Sequence, residues 1–112
     1  MLAPESRITT GADYKRLVRR GRRVVGAVTV AYTDINIEGG TPRFGFIIAR
    51  NVGNAVTRNR VRRRLKAASF DLRERFPAGA EIVYRAFPAA AEASYPELYR
   101  DLSRVADRVG SK

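Results

Sequence analysis

At 112 residues, 45% of them hydrophobic and 9% aromatic, the chain has room for one modest core and is too apolar to be disordered. Its 22 basic residues against 11 acidic ones leave a net charge of +11, which favours a polyanionic partner. Nucleic acid stands ahead of an anionic membrane, because the chain has no long apolar run and no signal-type segment; the absence of Cys and His excludes disulfides, thiolate chemistry, zinc fingers and imidazole acid–base catalysis.

Of the basic residues only Lys15, Lys66 and Lys112 are lysines. A GC-rich coding bias explains that, and so does selection for the planar guanidinium fork, which makes bidentate contacts with phosphates and base edges. Composition alone does not choose between them.

Residues 1–11, with Pro4, Ser6, Thr9, Thr10 and Gly11, read as a flexible arm whose one cation is Arg7. Residues 12–20 form a short helix on their periodicity. Thr10 and Asp13 have the form of a capping box, and Tyr14, Leu17 and Val18 share one face. Gly21 is placed to cap the helix end. Lys15, Arg16, Arg19 and Arg20 take the opposite face, which fits solvation and RNA contact equally well.

Residues 24–33 read as one β-branched strand with a bulge or bend at Gly26. A Gly- and Pro-containing loop over 34–42 leads to a second strand, 43–49, whose nearly apolar run suggests a central position. The short connection suggests that these two strands pair antiparallel.

The densest charge follows. Within 50–66 stand Arg50, Arg58, Arg60, Arg62, Arg63, Arg64 and Lys66, with no acidic residue. Gly53-Asn54 marks a helix start, with Asn54 as N-cap, and the helix runs over about 55–73. Thr57, Val61, Leu65, Ala68 and Leu72 form the stripe that packs on the sheet. Asn59, Arg63 and Lys66 lie opposite it, Arg60 and Arg62 on the flanks, and Arg58 and Arg64 at its border. Pro77 and Gly79 stop the element.

Residues 81–87 form a strand, so strand, basic helix and strand make a β-α-β unit with parallel strands. Ser94-Tyr95-Pro96-Glu97 is a capping box opening a last helix, with Leu98, Leu102, Val105 and Val109 as its apolar stripe and 110–112 as a tail. No carboxylate pair, phosphate loop or serine–base couple provides a catalytic constellation or a metal cage. Tyr14, Tyr32, Phe44 and Phe46 serve either core packing or a nucleobase-lined cleft.

The run Gly53-Asn54-Ala55-Val56-Thr57-Arg58-Asn59-Arg60-Val61-Arg62-Arg63 resembles the signature of the protein subunit of bacterial ribonuclease P. The resemblance extends from about residue 7 to 108, through the Asp13-Tyr14 pair, the Val30-Ala31-Tyr32 strand, the late Glu81-Ile82-Val83-Tyr84-Arg85 strand and Pro88. It implies an α+β fold: a two-layer sandwich in αβββαβα order, whose mixed sheet has a left-handed β-α-β crossover carrying the basic helix. That order has one strand more than the residues alone place; a kink at Gly26 or a short strand near the loop would supply it.

It further implies one ribonuclease P protein domain over 1–112, acting in the cytoplasm as a subunit of an endoribonuclease that removes the 5′ leader of precursor tRNA. The catalytic centre and its Mg2+ would belong to the RNA subunit, with no catalytic or metal-binding residue on this chain. By resemblance, Arg58, Asn59, Arg60, Arg62 and Arg63 contact that RNA, joined by the strand-end cation Arg50; Arg64 and Lys66 extend the same face. Tyr14, Val18 and Tyr32 would line the leader cleft between the first helix and the sheet. The implied partners are the RNA subunit and the precursor tRNA leader, with no membrane and no obligate protein partner. Three positions depart from the family pattern. Asn51 stands where a second cation is common, Val18 where a second aromatic is common, and Thr9-Thr10 where cations are frequent. The alternative reading is a ribosomal or RNA-chaperone type of RNA-binding protein without a role in cleavage.

Overall fold

A computed structural model describes residues 2–110. Helix α1 (Gly11–Arg20) is followed by strands β1 (Arg22–Val25), β2 (Thr29–Ile35) and β3 (Arg43–Ile47), then helix α2 (Ala55–Leu72), strand β4 (Ala80–Ala86) and helix α3 (Tyr95–Gly110). The αβββαβα order expected from the resemblance is therefore present. The four strands lie in the order β1-β2-β4-β3, with β3 and β4 parallel and the other pairs antiparallel.

The fourth strand comes from Gly26, where the long strand expected over 24–33 breaks into the β1–β2 hairpin. The cause lies far away in sequence. The Asp101 carboxylate of α3, only 3% exposed, accepts the backbone N–H groups of Ala27, Val28 and Thr29 at 2.9–3.0 Å. It also accepts the Thr29 hydroxyl at 3.0 Å. Three donors turned toward one carboxylate cannot also serve a strand ladder. Gly26 is required for space: a Cβ there would lie 2.5 Å from Asp101 Oδ2.

The expected neighbours, the strands now seen as β2 and β3, do not pair. β4 inserts between them and takes the central position, and β3 lies at the edge. The apolar character of β3 has a different source from centrality. Its outer edge is covered by the first residues of the chain, which corrects the flexible-arm expectation for 1–11. A single turn over Pro4–Ser6 precedes a parallel bridge between Arg7 and Phe44, and the Ile8 N–H donates to the Phe44 carbonyl at 2.9 Å. Leu2 and Ile8 are buried. This contact occupies part of the edge ladder that β3 would otherwise present to another chain. Of the expected tail, Gly110 closes α3, and 111–112 lie outside the described residues.

Helices α2 and α3 cover one face of the sheet and α1 packs on the other, so helices lie on both faces rather than in the two-layer arrangement expected. The larger core joins Val61, Leu65, Ala68 and Leu72 of α2 and Leu98, Leu102 and Val105 of α3 to Phe44, Ile82 and Tyr84. Each fully buried Val, Leu, Ile or Phe side chain among these contributes roughly 1.5–3 kcal/mol. The smaller core holds Ile8, Leu17, Val30, Tyr32 and Val83. Helix starts follow the sequence signals. Thr10 and Asn54 accept the N–H of Asp13 (3.2 Å) and Thr57 (2.9 Å). Ser94 and Glu97 cap each other reciprocally. Gly21 follows α1 in an extended conformation rather than as a left-handed cap. No helix among the described residues is long and apolar enough to cross a membrane.

Candidate nucleic-acid interface

The signature helix is held down by its apolar stripe, so its cations stand on a fixed surface. The structure divides those cations by what they touch. Arg60 Nη2 donates to the Ala91 carbonyl and Arg64 Nη1 to the Ala93 carbonyl, both at 3.0 Å. These two arginines tie α2 to the turn (Pro88–Glu92) that leads into α3. Arg62 donates to Asn59 Oδ1 at 3.1 Å. Arg58 is half-buried, and its Nε has no hydrogen-bond partner. Arg50 and Arg63 are exposed and Lys66 is half-buried. The helical wheel placed Val61, Leu65, Ala68 and Leu72 inward and Asn59 and Arg63 outward, while Thr57, expected in the stripe, and Lys66, expected opposite it, are both half-buried; the carbonyls waiting for Arg60 and Arg64 lie some thirty residues away and gave no local signal.

Tyr14, Val18 and Tyr32 do come together, in the small core between α1 and the sheet. Their exposure differs. Tyr32 is 7% exposed, and the Arg85 guanidinium carbon lies 5.9 Å from its ring centroid. Tyr14 and Val18 are half-buried and share a shallow groove with Lys15, Arg19 and Ile47.

Tyr14 also borders a second groove, along the β3 edge, and this one joins separate parts of the chain. It is lined by Arg7, Ile8 and Thr9 of the N-terminal segment, Tyr14 of α1, Phe44 and Phe46 of β3, and Arg62 and Lys66 of α2. The Tyr14 ring is fixed there. Its hydroxyl accepts the Phe46 N–H at 3.1 Å, and Gly45 leaves the space, since a Cβ would stand 2.7 Å from that hydroxyl. Phe46 in turn stacks on Tyr84 at 6.0 Å between centroids. Arg7 enters the groove because its segment is packed, a role that reading 1–11 as an arm missed.

An ion-pair cluster fastens α1 to the sheet beside these grooves. Glu81 of β4, 5% exposed, accepts from Arg43 at 2.6 Å and Arg16 at 2.9 Å. Asp13 pairs with Arg16 (3.3 Å) and Arg43 (3.4 Å), and Arg16 reaches Asp34 at 3.4 Å. The hydrogen bond each guanidinium donates to Glu81 is the main cause that raises both arginines above their ordinary value, against the opposing effect of burial. For Asp13, burial pushes upward, but the Thr10 side chain, Arg16 and Arg43 outweigh it and hold the carboxyl below its ordinary 3.8. Arg16 therefore belongs to this cluster rather than to a free basic face. Its signal in the sequence was Asp13, three residues before it on the same helix.

Among the described residues no group of three or more His, Cys, Asp or Glu side chains is placed to hold a metal ion. The carboxylates that do converge, Asp13, Asp34 and Glu81, are engaged by Arg16 and Arg43. The site can neutralise phosphates and stack or enclose a base.

Comparison with known proteins agrees with this picture. A family model described as Ribonuclease P matches residues 2–110. A ribonuclease P protein component from Clavibacter michiganensis is 44% identical over 108 residues, covering 96% of each chain. One from Acidothermus cellulolyticus is 43% identical, covering 97% of this chain and 92% of its own. Among solved structures, the RNase P protein of Staphylococcus aureus superposes with a TM-score of 0.82 at 26% identity, over 92% of this chain and 94% of that one. The RNase P protein from Thermotoga maritima shares the fold, with a TM-score of 0.80 at 18% identity over 92% and 96%.

Proposed function

This chain belongs to the ribonuclease P protein family and is a protein component of that endoribonuclease; from that premise we propose how it divides the work with its RNA partner. The exposed face of α2, with Arg50, Arg58, Asn59, Arg62, Arg63 and Lys66, docks on the RNA subunit. Arg60 and Arg64 mainly hold the turn before α3 and add charge to that face. The groove along β3 takes the single-stranded 5′ leader of precursor tRNA. Tyr14 stacks on a leader base, and Arg7, Arg62 and Lys66 neutralise its phosphates.

The observation that carries this reading is the groove itself. It is the place where an aromatic ring of α1, cations of the signature helix and the N-terminal segment line one channel. One strand threaded there touches both the leader-binding side and the RNA-docking side. Stacking on an aromatic is worth roughly 1–3 kcal/mol per base and tolerates any sequence, which suits a leader of variable composition. In this reading the Mg2+ ions that activate water for phosphodiester cleavage are held by the RNA subunit, and the chain contributes binding and positioning in the cytoplasm. Tyr32 supports Tyr14 from within the core instead of meeting the leader.

The test is cleavage of precursor tRNA by the RNA subunit at low magnesium, with and without the protein. The expected result is strong stimulation by the protein and no cleavage by the protein alone. Tyr14→Ala should weaken binding of leader-bearing precursor by about 5- to 150-fold and leave mature tRNA binding unchanged. Equal losses for both ligands remove Tyr14 from the leader site, and cleavage by the protein alone places the chemistry on this chain.

A further inference from the structure

A second row of cations lies away from α2. Arg100, Arg104 and Arg108 recur every four residues along α3, and all three are exposed. Four helical residues rise about 6 Å, so the row is about 12 Å long. At its end Arg108 shares a shallow pocket with Arg22 of β1, which carries the positive charge onto the sheet edge opposite β3. Asp34 also lines that pocket, and Arg16 holds it.

The row is unneutralised within the protein. Among the described residues none of the three arginines forms an ion pair. The acidic residues of α3 are engaged elsewhere: Glu97 accepts the Ser94 N–H, Asp101 holds the β1–β2 turn, and Asp107 pairs with Arg75. Like charges four residues apart on a helix repel one another and destabilise it. The arrangement thus costs the free protein stability, and a polyanion lying along α3 would remove that cost.

We propose that the outer face of α3, continued by Arg22 at the β1 edge, is a second RNA-binding surface that grips a phosphate backbone independently of base sequence. It rests on the RNA-binding role of the chain but is separate from the β3 groove and from the signature face of α2. The bound backbone is that of the RNA subunit, because α3 packs beside α2 on the same face of the sheet, and the outer face of α2 docks on that RNA.

The test compares the full chain with the triple variant Arg100→Gln, Arg104→Gln, Arg108→Gln. Binding to the RNA subunit alone and to precursor tRNA alone is measured from low to moderate salt. A second triple variant, Arg62→Gln, Arg63→Gln, Lys66→Gln, serves as the comparison. Each lost phosphate contact removes about 0.7–0.9 from the log–log salt slope, so the α3 variant should be shallower by about 2 on the RNA subunit and unchanged on precursor tRNA. Its thermal midpoint should be unchanged or higher, because the repulsion is gone. A Lys version of the α3 row should keep the original slope. An unchanged slope on the RNA subunit for the α3 variant, a loss confined to precursor tRNA, or a Lys version as impaired as the Gln version overturns the proposal. If the α2 variant is meanwhile shallower, the docking role of α2 stands; a wild-type chain that binds neither RNA removes both.

Discussion

Replacing Asp101 should do more damage than replacing any exposed arginine, although the residue is one carboxylate on a surface helix of a strongly basic protein. It accepts three backbone N–H groups and one hydroxyl at 2.9–3.0 Å, nearly out of contact with water. Hydrogen bonds to a charged group are each worth about 1.5–3 kcal/mol, and a buried donor left without a partner costs about 1–3 kcal/mol. Asp101→Ala strands donors at Ala27, Val28 and Thr29. Water enters the gap at the exposed Ala27 end, so the expected loss is about 3–5 kcal/mol rather than the full sum. Asp101→Asn keeps one acceptor and turns an amide donor toward another donor; its loss should be about 2–3 kcal/mol. Gly26 tests the geometry independently. Gly26→Ala puts a methyl 2.5 Å from Oδ2 and should force the carboxylate off its donors. In an Asp101→Ala background that obstacle is absent, so the two substitutions should be strongly non-additive. Equilibrium unfolding in urea measures all four corners of the cycle, with an unchanged m-value showing that only stability moved. A loss under about 1 kcal/mol for Asp101→Ala, or a Gly26→Ala cost that is the same in both backgrounds, refutes the account of the hairpin.

Gly45→Ala should displace the Tyr14 ring from β3, lowering affinity for leader-bearing precursor by about the same factor as Tyr14→Ala while mature tRNA binding stays constant; comparing the two variants on both ligands checks it. Because Asp13 has a lowered folded-state pKa, its contribution is present at neutral pH and is lost as pH falls from about 4 through the depressed value. Asp13→Asn should therefore be less stable than wild type at pH 7, with the gap closing toward pH 2 in denaturant titrations across that range. Arg60→Ala and Arg64→Ala should each cost about 1 kcal/mol of stability through the lost carbonyl bond, whereas Arg63→Ala should stay within about 0.5 kcal/mol and weaken RNA binding alone.

What the sequence made visible was local. Asn54 and the stripe Val61-Leu65-Ala68-Leu72 sufficed to place α2, since a cap and a 3.6-residue period are read within one element. The Ser94–Glu97 box placed α3 in the same way. What stayed hidden depends on residues distant in the chain. The break at Gly26 is caused by Asp101, and without it Val24 to Thr33 has every mark of a single strand. The pairing of β2 with β4 was hidden because chain neighbours joined by a short loop usually pair, and β4 follows only after α2. For the interface, the wheel placed each arginine relative to the apolar stripe, but did not tell those spent on the carbonyls of Ala91 and Ala93 from those left free. The groove at β3 escaped because a segment rich in Pro, Ser and Thr looks unstructured until Leu2 and Ile8 find the sheet edge.

The central strand of this sheet is also the last one the ribosome makes. Until residues 80–86 have emerged, the β1–β2 hairpin and β3 have no surface in common, because each pairs with β4 and not with the other. Glu81, which anchors α1 through Arg16, arrives with the same strand. The nascent chain thus carries most of its signature arginines into the cell before it has a sheet to mount them on, and closure over such long separations is slow. During that interval the basic segment is an unmounted polycation. An RNA that seized it then would compete with folding, so the order in which the strands are synthesised makes completion of β4 the event that turns loose positive charge into a defined binding surface.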